Sequence, residues 1–290
     1  MLSLAPLDLD SLPALQAISD ATAASRPPMA LRTLLTDAAR GGGRQVVVAW
    51  QESRPVGCLA WVSLGIAEDG RLYGSPLIAP DAEVAAALIE RLVIEGHTLG
   101  ASHLRVSTWA GDEGKAQALA ALGFECLFEW VNFGRPLPLP VAPPQASAIS
   151  RCSTVDFERI DWAQAARLSA ECFRDVPNSP AVTAEILAAD WAEADRDASC
   201  LLQDDAGAYA AYIVVQHDGT VDAVGVQAAW RGQGLTDTLY ARAAAALVAK
   251  GVMQMSALVA STNTASMRLH QRLGFTETVP RGAVWERALA

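Results

Sequence analysis

The sequence has few basic residues for its length. Its 290 residues include 22 Lys and Arg against 32 Asp and Glu, which gives a formal net charge of −10 at pH 7. Nucleic-acid binding requires a basic surface, so the sequence predicts no nucleic-acid partner. The same deficit argues against an anionic membrane surface. An acidic protein attracts cationic or amine-bearing ligands, but net charge alone is weak support for one.

Long apolar runs and a basic N-terminal start are also missing. No stretch reaches the length of a membrane span without charged residues. The N-terminal segment carries Asp8 and Asp10 but no Lys or Arg before them, unlike a secretory signal peptide. We therefore expect a soluble, cytoplasmic protein without a membrane partner.

Cysteine and histidine are too scarce and too scattered for a metal centre or a disulfide framework. The four histidines are not at metal-ligand spacing, and the cysteines form no C-x-x-C pair. This pattern predicts a reducing compartment, no metal and five buried apolar thiols: Cys58, Cys126, Cys152, Cys172 and Cys200.

The rest of the composition is globular, with 51% hydrophobic and 19% charged residues. The length suits one large or two medium domains, each able to bury a core. In the first half, periodicity predicts helices over 10–24, 29–39, 82–95 and 116–122, and strands over 45–50, 56–63, 72–78 and 104–108. In the second half it predicts helices over 161–173 and 183–193 and strands over 199–203, 209–216 and 255–260.

A proline-rich segment separates these halves. Five prolines between positions 136 and 144 exclude a helix or a central strand and predict a semi-rigid extended linker. Landmarks on its two sides correspond: Gly123-Phe124 with Gly274-Phe275, and Gly100 with Gly251. We interpret this as an internal repeat of about 150 residues. The predicted boundaries are a first domain at 1–137, a linker at 138–150 and a second domain at 151–290.

The most informative stretch runs from Asp222 to Lys250. Val224 and Val226 indicate a short strand, the turn Arg231 to Gly234 reads R-G-Q-G, and helix-forming residues follow. Glycines let the backbone approach a ligand, and the free N–H groups of a helix start favour a phosphate. The spacing is neither G-x-G-x-x-G nor a P-loop, so the residues alone leave an ordinary tight turn equally open.

A second motif makes the pattern specific. Asn263 follows a strand and precedes a helical segment that ends in Leu273-Gly274-Phe275. Together the two motifs resemble the GNAT N-acetyltransferase superfamily, whose loop pattern is Gln/Arg-x-x-Gly-x-Gly/Ala. Arg231 and Gly234 match that pattern, and Thr236 departs from it. The resemblance implies a fold of two tandem mixed α/β domains, each a twisted mixed sheet flanked by helices, in a layout like that of mycothiol synthase.

The resemblance also implies a cofactor, acetyl-CoA. The strands are expected to splay beyond Val226, so that the pantetheine arm adds to the sheet edge. Three residues are expected beside the thioester: Val224, Val226 and Gln227. Five are expected to bind the pyrophosphate: Gly232, Gln233, Gly234, Leu235 and Thr236. Arg231 is expected to add positive charge, and Asn263 to lie near the cofactor arm.

The resemblance also points to catalytic residues. The family's usual acid is a tyrosine, and His270 occupies that position; it is either an acid that protonates the CoA thiolate or a helix-surface histidine without a role. Tyr240 is a weaker replacement and a better core residue. A protonated amine also needs a base, for which Asp222 is the candidate. The alternative for Asp222 is a solvated carboxylate at a strand end.

Other residues of the second half are weaker candidates for the active site. Glu171 and Asp175 end a helix near the family's substrate entrance, where solvated charges are common. Cys172 is not expected to be a nucleophile, because the family transfers the acyl group directly. Trp191 and Trp230 are interpreted as packing or pocket wall.

The first half lacks the loop. Opposite it stands Pro80 to Ala85, which has no glycine and carries the carboxylates of Asp81 and Glu83. Asp112 stands opposite Asn263. Because carboxylates repel a pyrophosphate, we expect the first copy to have lost acyl-CoA binding and to serve as a scaffold, substrate wall or dimer-like partner. The alternative is a diverged loop that still binds the cofactor.

The predicted function is therefore N-acetyl transfer from acetyl-CoA to a small-molecule or peptide amine in the second domain. A non-catalytic acyl-CoA-binding or regulatory module is the alternative from another class, and an interaction scaffold without ligand is a third. The acceptor and the oligomeric state, a monomer of two pseudo-repeats or a homodimer, stay open at this point.

Overall fold

The computed structural model describes residues 2–22, 30–64, 66–138, 151–174, 176 and 183–289. The chain divides into two compact units. Unit 1 contains Met1–Val131 and Val279–Ala290, and unit 2 contains Asn132–Thr278.

The first half of the chain alternates helices and strands. In order these are β1 (Leu2–Pro6), α1 (Leu12–Ala21), α2 (Leu31–Leu35), β2 (Val46–Gln51), β3 (Arg54–Val62), α3 (Ile66–Asp69), β4 (Arg71–Ile78), α4 (Ala82–Leu99), β5 (His103–Trp109), α5 (Glu113–Ala121) and β6 (Glu125–Pro136). Strand β6 crosses the division between the units.

The second half repeats that order. Its elements are β7 (Cys152–Thr154), α6 (Trp162–Phe173), α7 (Ala184–Glu193), β8 (Cys200–Asp204), β9 (Tyr209–Val215), β10 (Thr220–Val226), α8 (Leu235–Ala249), β11 (Gln254–Ala260), α9 (Thr264–Arg272), β12 (Thr276–Glu277) and β13 (Gly282–Ala288). The mixed α/β class predicted from the sequence is confirmed. No helix in the described part of the chain is long and apolar enough to cross a membrane.

The sheet of unit 1 has the strand order β1-β2-β3-β4-β5-β13-β6. Strands β1 to β4 pair antiparallel, and β4 pairs parallel with β5. The last strand of the chain, β13, lies between β5 and the first part of β6 and pairs antiparallel with both. Unit 1 is therefore completed by residues from the far end of the chain.

The sheet of unit 2 has the order β11-β10-β9-β8-β7, and the second part of β6 adds to it beside β11. The short strand β12 pairs with that part of β6 at Gly134 and Phe133. Neighbours from β7 to β10 are antiparallel, whereas β10 and β11 are parallel.

Apolar side chains bury both faces of the unit 1 sheet. One cluster joins α4 and α5 to the sheet through Leu88, Leu92 and Leu119, and another joins α1 and α2 through Leu15 and Leu31. In unit 2, α6 and α7 pack on β9 through a cluster that includes Trp191 and Tyr212. The other face is covered by α8, whose buried residues include Leu239.

Several sequence predictions need correction. The expected helix over 29–39 is short: α2 ends at Leu35, because the backbone of its C-cap Thr36 leaves the helical region with φ −106° and ψ 12°. A 3₁₀ segment then spans Ala38–Gly43. Periodicity missed strands β1, β6, β7, β12 and β13. No disulfide forms within the described residues. Only Cys58 and Cys200 are buried, so the expectation of buried thiols is wrong for the exposed Cys126.

The compact units differ from the predicted domain boundaries of 1–137 and 151–290. Residues 132–136 of β6 belong to unit 2, and β13 belongs to unit 1. Of the predicted linker at 138–150, only Pro138 lies within the described residues.

Candidate active site

The centre of unit 2 is an opening between two parallel strands. Strands β10 and β11 pair only at Thr220 with Ser256 and at Val221 with Ala257. Beyond these two pairs, no pairing between β10 and β11 is found in the described chain. The expected splay therefore exists, and it begins after Val221 instead of after Val226. The opening is deeper than the sequence predicted.

The backbone of β10 presents alternate residues to this opening. In an antiparallel ladder, residues whose N–H and C=O groups bond the partner strand alternate with residues whose groups point away. Gln227 N donates to Ala210 O at 2.9 Å, and Gly225 lies opposite Tyr212 in the same register. The backbone groups of Val224 and Val226 consequently face away from β9, toward the opening.

Of the three residues expected beside the thioester, this geometry supports backbone contacts from Val224 and Val226 but not from Gln227. Val224 and Val226 offer their N–H and C=O groups to a ligand lying along β10. The backbone N–H of Gln227 is already bonded to Ala210 O. The Gln227 carbonyl also accepts a bond, from Trp230 N at 2.9 Å. A backbone contact from Gln227 to the thioester is therefore not supported.

Helix α6 lies against the end of β10. A Cβ atom at Gly225 would be 2.6 Å from the Tyr212 ring and 3.0 Å from Cys172 Sγ, so only glycine fits there. Glu171 Oε1 accepts a hydrogen bond from Ala228 N at 3.2 Å, which ties the helix to the start of the loop. Burial raises the pKa of the Cys172 thiol to about 11. The thiol is therefore protonated at neutral pH, which agrees with the expectation that it is no nucleophile.

The loop between β10 and α8 has the geometry of an anion site. Gly232 and Gly234 have φ angles of +74° and +81°, in the left-handed region that favours glycine. Gly234 is the N-cap of α8, and no side chain within the described residues caps that helix. The N–H groups of Leu235 and Thr236 open the helix and carry the positive end of its dipole. An anion is the ligand that such a helix start favours.

Two long side chains shape the loop from its two ends. Gln233 Nε2 donates to Ala229 O at 2.9 Å and closes the turn. Arg231 Nε donates to Val226 O at 3.2 Å, so its guanidinium lies across the open edge of β10. The positive charge of Arg231 lowers the pKa of the Cys172 thiol, in opposition to the larger effect of burial.

Asn263 has a local role at the start of α9. Its Oδ1 accepts a hydrogen bond from Ser266 N at 3.1 Å, which caps the helix. Its backbone N–H donates to Ala260 O at 2.8 Å, and these bonds fix the end of β11. The expected contact with the cofactor arm stays a prediction.

His270 lies in the core, with both ring nitrogens bonded inside unit 2. Nδ1 is 2.9 Å from Ser266 O, an atom that only accepts, so Nδ1 carries the proton. Nε2 then accepts from the Tyr240 hydroxyl at 2.8 Å. The ring stacks on Phe133, and burial lowers the pKa of the imidazole. The interpretation as a helix-surface histidine is wrong, and this geometry gives no direct support to an acid role.

The matching position in unit 1 supports a packing role. Phe275 N donates to His270 O, and in unit 1 Phe124 N donates to Leu119 O, so the two residues correspond. Both are buried, Leu119 completely. Aligning the halves of the sequence at Gly-Phe would have revealed this core position. Tyr240 is also buried, as expected, and burial raises its pKa.

Three carboxylates lie near one another beside β10. Asp222 is exposed and accepts a hydrogen bond from Gln216 Nε2. The pKa of Asp190 is raised, first by burial and then by the negative charges of Asp222 and Glu193. Sequence reasoning missed Asp190 and Glu193, which sit on α7 among helix-face charges. Negative charges grouped in this way attract a cation.

The two tryptophans singled out from the sequence are buried. Trp191 is buried beside Trp162 and Tyr212. Trp230 is buried in the loop under the guanidinium of Arg151, 5.1 Å from the ring centre. Both are packing residues. Asp175 lies outside the described residues.

Residues 162–275 match the family model described as the acetyltransferase (GNAT) family. No curated protein matches the chain.

Solved structures match the whole chain. A GCN5-related N-acetyltransferase from Sphaerobacter thermophilus has a TM-score of 0.74 at 16% identity, over 99% of this chain and 95% of its own. A tandem GNAT protein from the clavulanic acid biosynthesis pathway has a TM-score of 0.67 at 17% identity, over 99% and 98%. A GCN5-related N-acetyltransferase from Kribbella flavida has a TM-score of 0.56 at 12% identity, over 100% and 71%. At these identities the likeness shows the fold, and the predicted arrangement of two tandem GNAT-type domains is confirmed.

Proposed function

We propose that unit 2, whose residues 162–275 match the acetyltransferase (GNAT) family model, transfers an acetyl group from acetyl-CoA directly to an amine. The observation that carries this proposal is the pairing of β10 with β11. The strands separate after two pairs, and the uncapped start of α8 follows β10. A thioester arm and a pyrophosphate require these two features side by side.

Donor binding uses the backbone for most of its contacts. The pantetheine amides bond the outward-facing groups of Val224 and Val226, as an added strand would. The pyrophosphate binds the N–H groups of Gly232, Gln233 and Gly234 together with those of Leu235 and Thr236 at the helix start. A backbone N–H beside the thioester polarises its carbonyl, which stabilises the negative charge that develops there during attack.

The acceptor amine approaches from the side of the three carboxylates. An alkylamine is protonated in water, and the charges of Asp222, Asp190 and Glu193 favour that cation. It must lose a proton before it attacks, and Asp222 is the proposed base. The acceptor is a small-molecule or peptide amine of unassigned identity, and the cytoplasmic location remains a prediction.

One observation favours a second candidate, an acyl-CoA-binding module without catalysis. The departing thiolate needs a proton, but the only N–H group of the His270 ring already donates a hydrogen bond to Ser266 O. His270 acts as the acid only if that side chain leaves its core position; otherwise another donor must supply the proton. Turnover with an amine distinguishes the two candidates, because the module binds acetyl-CoA without consuming it.

The test is a calorimetric titration of acetyl-CoA into the protein and two glycine variants. In Gly232→Glu a carboxylate enters open space beside the proposed pyrophosphate. We expect a loss of affinity of at least about 100-fold from charge repulsion. Gly207→Glu is the matched control: this glycine also has a positive φ, of +81°, and nothing within 4 Å of an added Cβ.

The two variants carry the same backbone strain and the same added charge, so only position differs. Wild-type binding that persists in Gly207→Glu and disappears in Gly232→Glu supports the loop as the cofactor site. Equal affinity in all three proteins, or no binding by the wild type, contradicts the proposed function.

A further inference from the structure

Arg231 occupies the backbone acceptor that the cofactor arm needs. Its Nε donates to Val226 O at 3.2 Å. Val226 is the last residue of β10, and its carbonyl faces the opening between β10 and β11. With the arginine in this position, a pantetheine amide competes with the guanidinium for that carbonyl.

The Arg231 side chain is also close to the proposed phosphate site. Arg231 is the first residue of the loop, directly before Gly232, and it is exposed. Its guanidinium therefore reaches both the strand edge and the space in front of α8. A guanidinium and a phosphate carry opposite charges and frequently form two parallel hydrogen bonds, whereas the Val226 carbonyl is a neutral acceptor. A ligand that carries phosphate draws the side chain away from Val226, and a ligand without phosphate does not.

We propose that Arg231 makes unit 2 selective for CoA thioesters over pantetheine thioesters. The inference rests on the proposed donor site. In it, the phosphates of CoA release the Val226 carbonyl by binding the guanidinium, and the pantetheine amide then takes that carbonyl. A pantetheine thioester has to break the Arg231 bond without a replacement. Donor selectivity is thus decided at the strand edge as well as at the phosphate loop.

Arg231→Met tests the proposal, since methionine removes the hydrogen-bond donors and keeps an unbranched apolar stem. Calorimetry would measure the affinities of acetyl-CoA and S-acetylpantetheine for the wild type and the variant. We expect acetyl-CoA binding to weaken by about 10-fold, the value of a charge-assisted bond. We expect S-acetylpantetheine binding to strengthen by about 3- to 10-fold, because the competing donor is gone.

Arg159→Met is the control for the loss of positive charge, since Arg159 is exposed in the 3₁₀ turn Phe157–Arg159 of the same unit. It should change neither affinity by more than about 2-fold. Equal thermal unfolding midpoints of the three proteins would confirm intact folding. The opposite shifts of the two ligands in Arg231→Met support the proposal.

The contrary results are distinct. Weaker binding of both ligands by Arg231→Met overturns the inference and leaves the proposed function intact. S-acetylpantetheine binding that is unchanged, or too weak to measure in both proteins, also overturns it. If wild-type protein binds no acetyl-CoA, the proposed function itself fails.

Discussion

The two units start the equivalent helix in different ways. In unit 1, Asp81 is the N-cap of α4, and its Oδ1 accepts a hydrogen bond from Val84 N at 2.9 Å. In unit 2, Gly234 begins α8 and provides no side chain. The carboxylate of Asp81 is thus a built-in anion at the place where unit 2 leaves room for a phosphate. A single capping residue decides whether the helix start is available to a ligand.

The strands show the same contrast. In unit 1, β4 and β5 stay paired over four residues each, from Arg71 with His103 to Gly74 with Val106, against two pairs in unit 2. The start of α5 also closes on α4, because a Cβ at Gly114 would be 3.1 Å from Ala82 N. These observations support the expectation that unit 1 has lost the cofactor. The fold is common to both units, and short segments determine whether it carries a site.

The largest difference between the two units is expected when the last residues of the chain are deleted. Deleting 282–290 removes β13 from between β5 and β6, together with the buried Val284. We expect unit 1 to lose its cooperative fold, since each buried apolar side chain contributes about 1.5–3 kcal/mol and two strand ladders are lost as well. Hydrogen exchange should show β5 unprotected, while β9 of unit 2 keeps its protection. Protection of β5 equal to that in the full chain would contradict this dependence.

Asp81→Ala tests the role of the helix cap in unit 1, and its expected effect is smaller than that of the deletion. Loss of the cap should lower the free energy of unfolding of unit 1 by about 1 kcal/mol, as measured by urea denaturation. It should not create a second acetyl-CoA site, because the β4–β5 pairing and Gly114 still close unit 1. Thr183→Ala, which removes the cap of α7 in unit 2, is the matched control for cap loss. A new site in Asp81→Ala would mean that the carboxylate alone blocks unit 1.

An effect of similar size is expected from pH. Burial lowers the pKa of His270 below its ordinary value. Below about pH 6.5 the unfolded chain therefore binds a proton that the folded unit 2 does not, and stability falls as the pH falls. Tyr240→Phe with His270→Leu copies the leucine of unit 1 and removes this dependence.

Urea unfolding at pH 7.5 and pH 5.5 would measure that difference. The wild type should lose more stability between the two pH values than the double variant, by at most about 1.4 kcal/mol. Tyr240→Phe alone is the control, because it keeps the imidazole. The same pH dependence in the wild type and the double variant would show that His270 does not contribute.

Local sequence signals predicted the repeat and most of the helices. Gly100 is the left-handed C-cap of α4, and Gly251 follows α8 with a φ of +78°, so both mark helix ends as expected. The loop glycines Gly232 and Gly234 also have the positive φ that their motif implied. These features depend on neighbouring residues, and a single sequence carries them.

Long-range features were beyond such signals. Strand β13 pairs with β5 and β6, whose residues lie far earlier in the chain. The residues Gly282–Ala288 do not themselves indicate which strands they pair with. The sequence left His270 open between an acid and a helix-surface histidine, and its buried position was missed because its partner, the Tyr240 hydroxyl, comes from another helix. Burial of a polar side chain depends on such a partner, which only the folded chain supplies. The contact of Gln227 N with Ala210 O was missed for the same reason.

The stoichiometry of acetyl-CoA binding, measured by calorimetry on the full chain, tests the contrast between the units most directly. One site per chain is the predicted result, since α8 has a free start and α4 is capped by Asp81. Two sites per chain would contradict the account, because unit 1 would then bind the cofactor despite its cap and its paired strands.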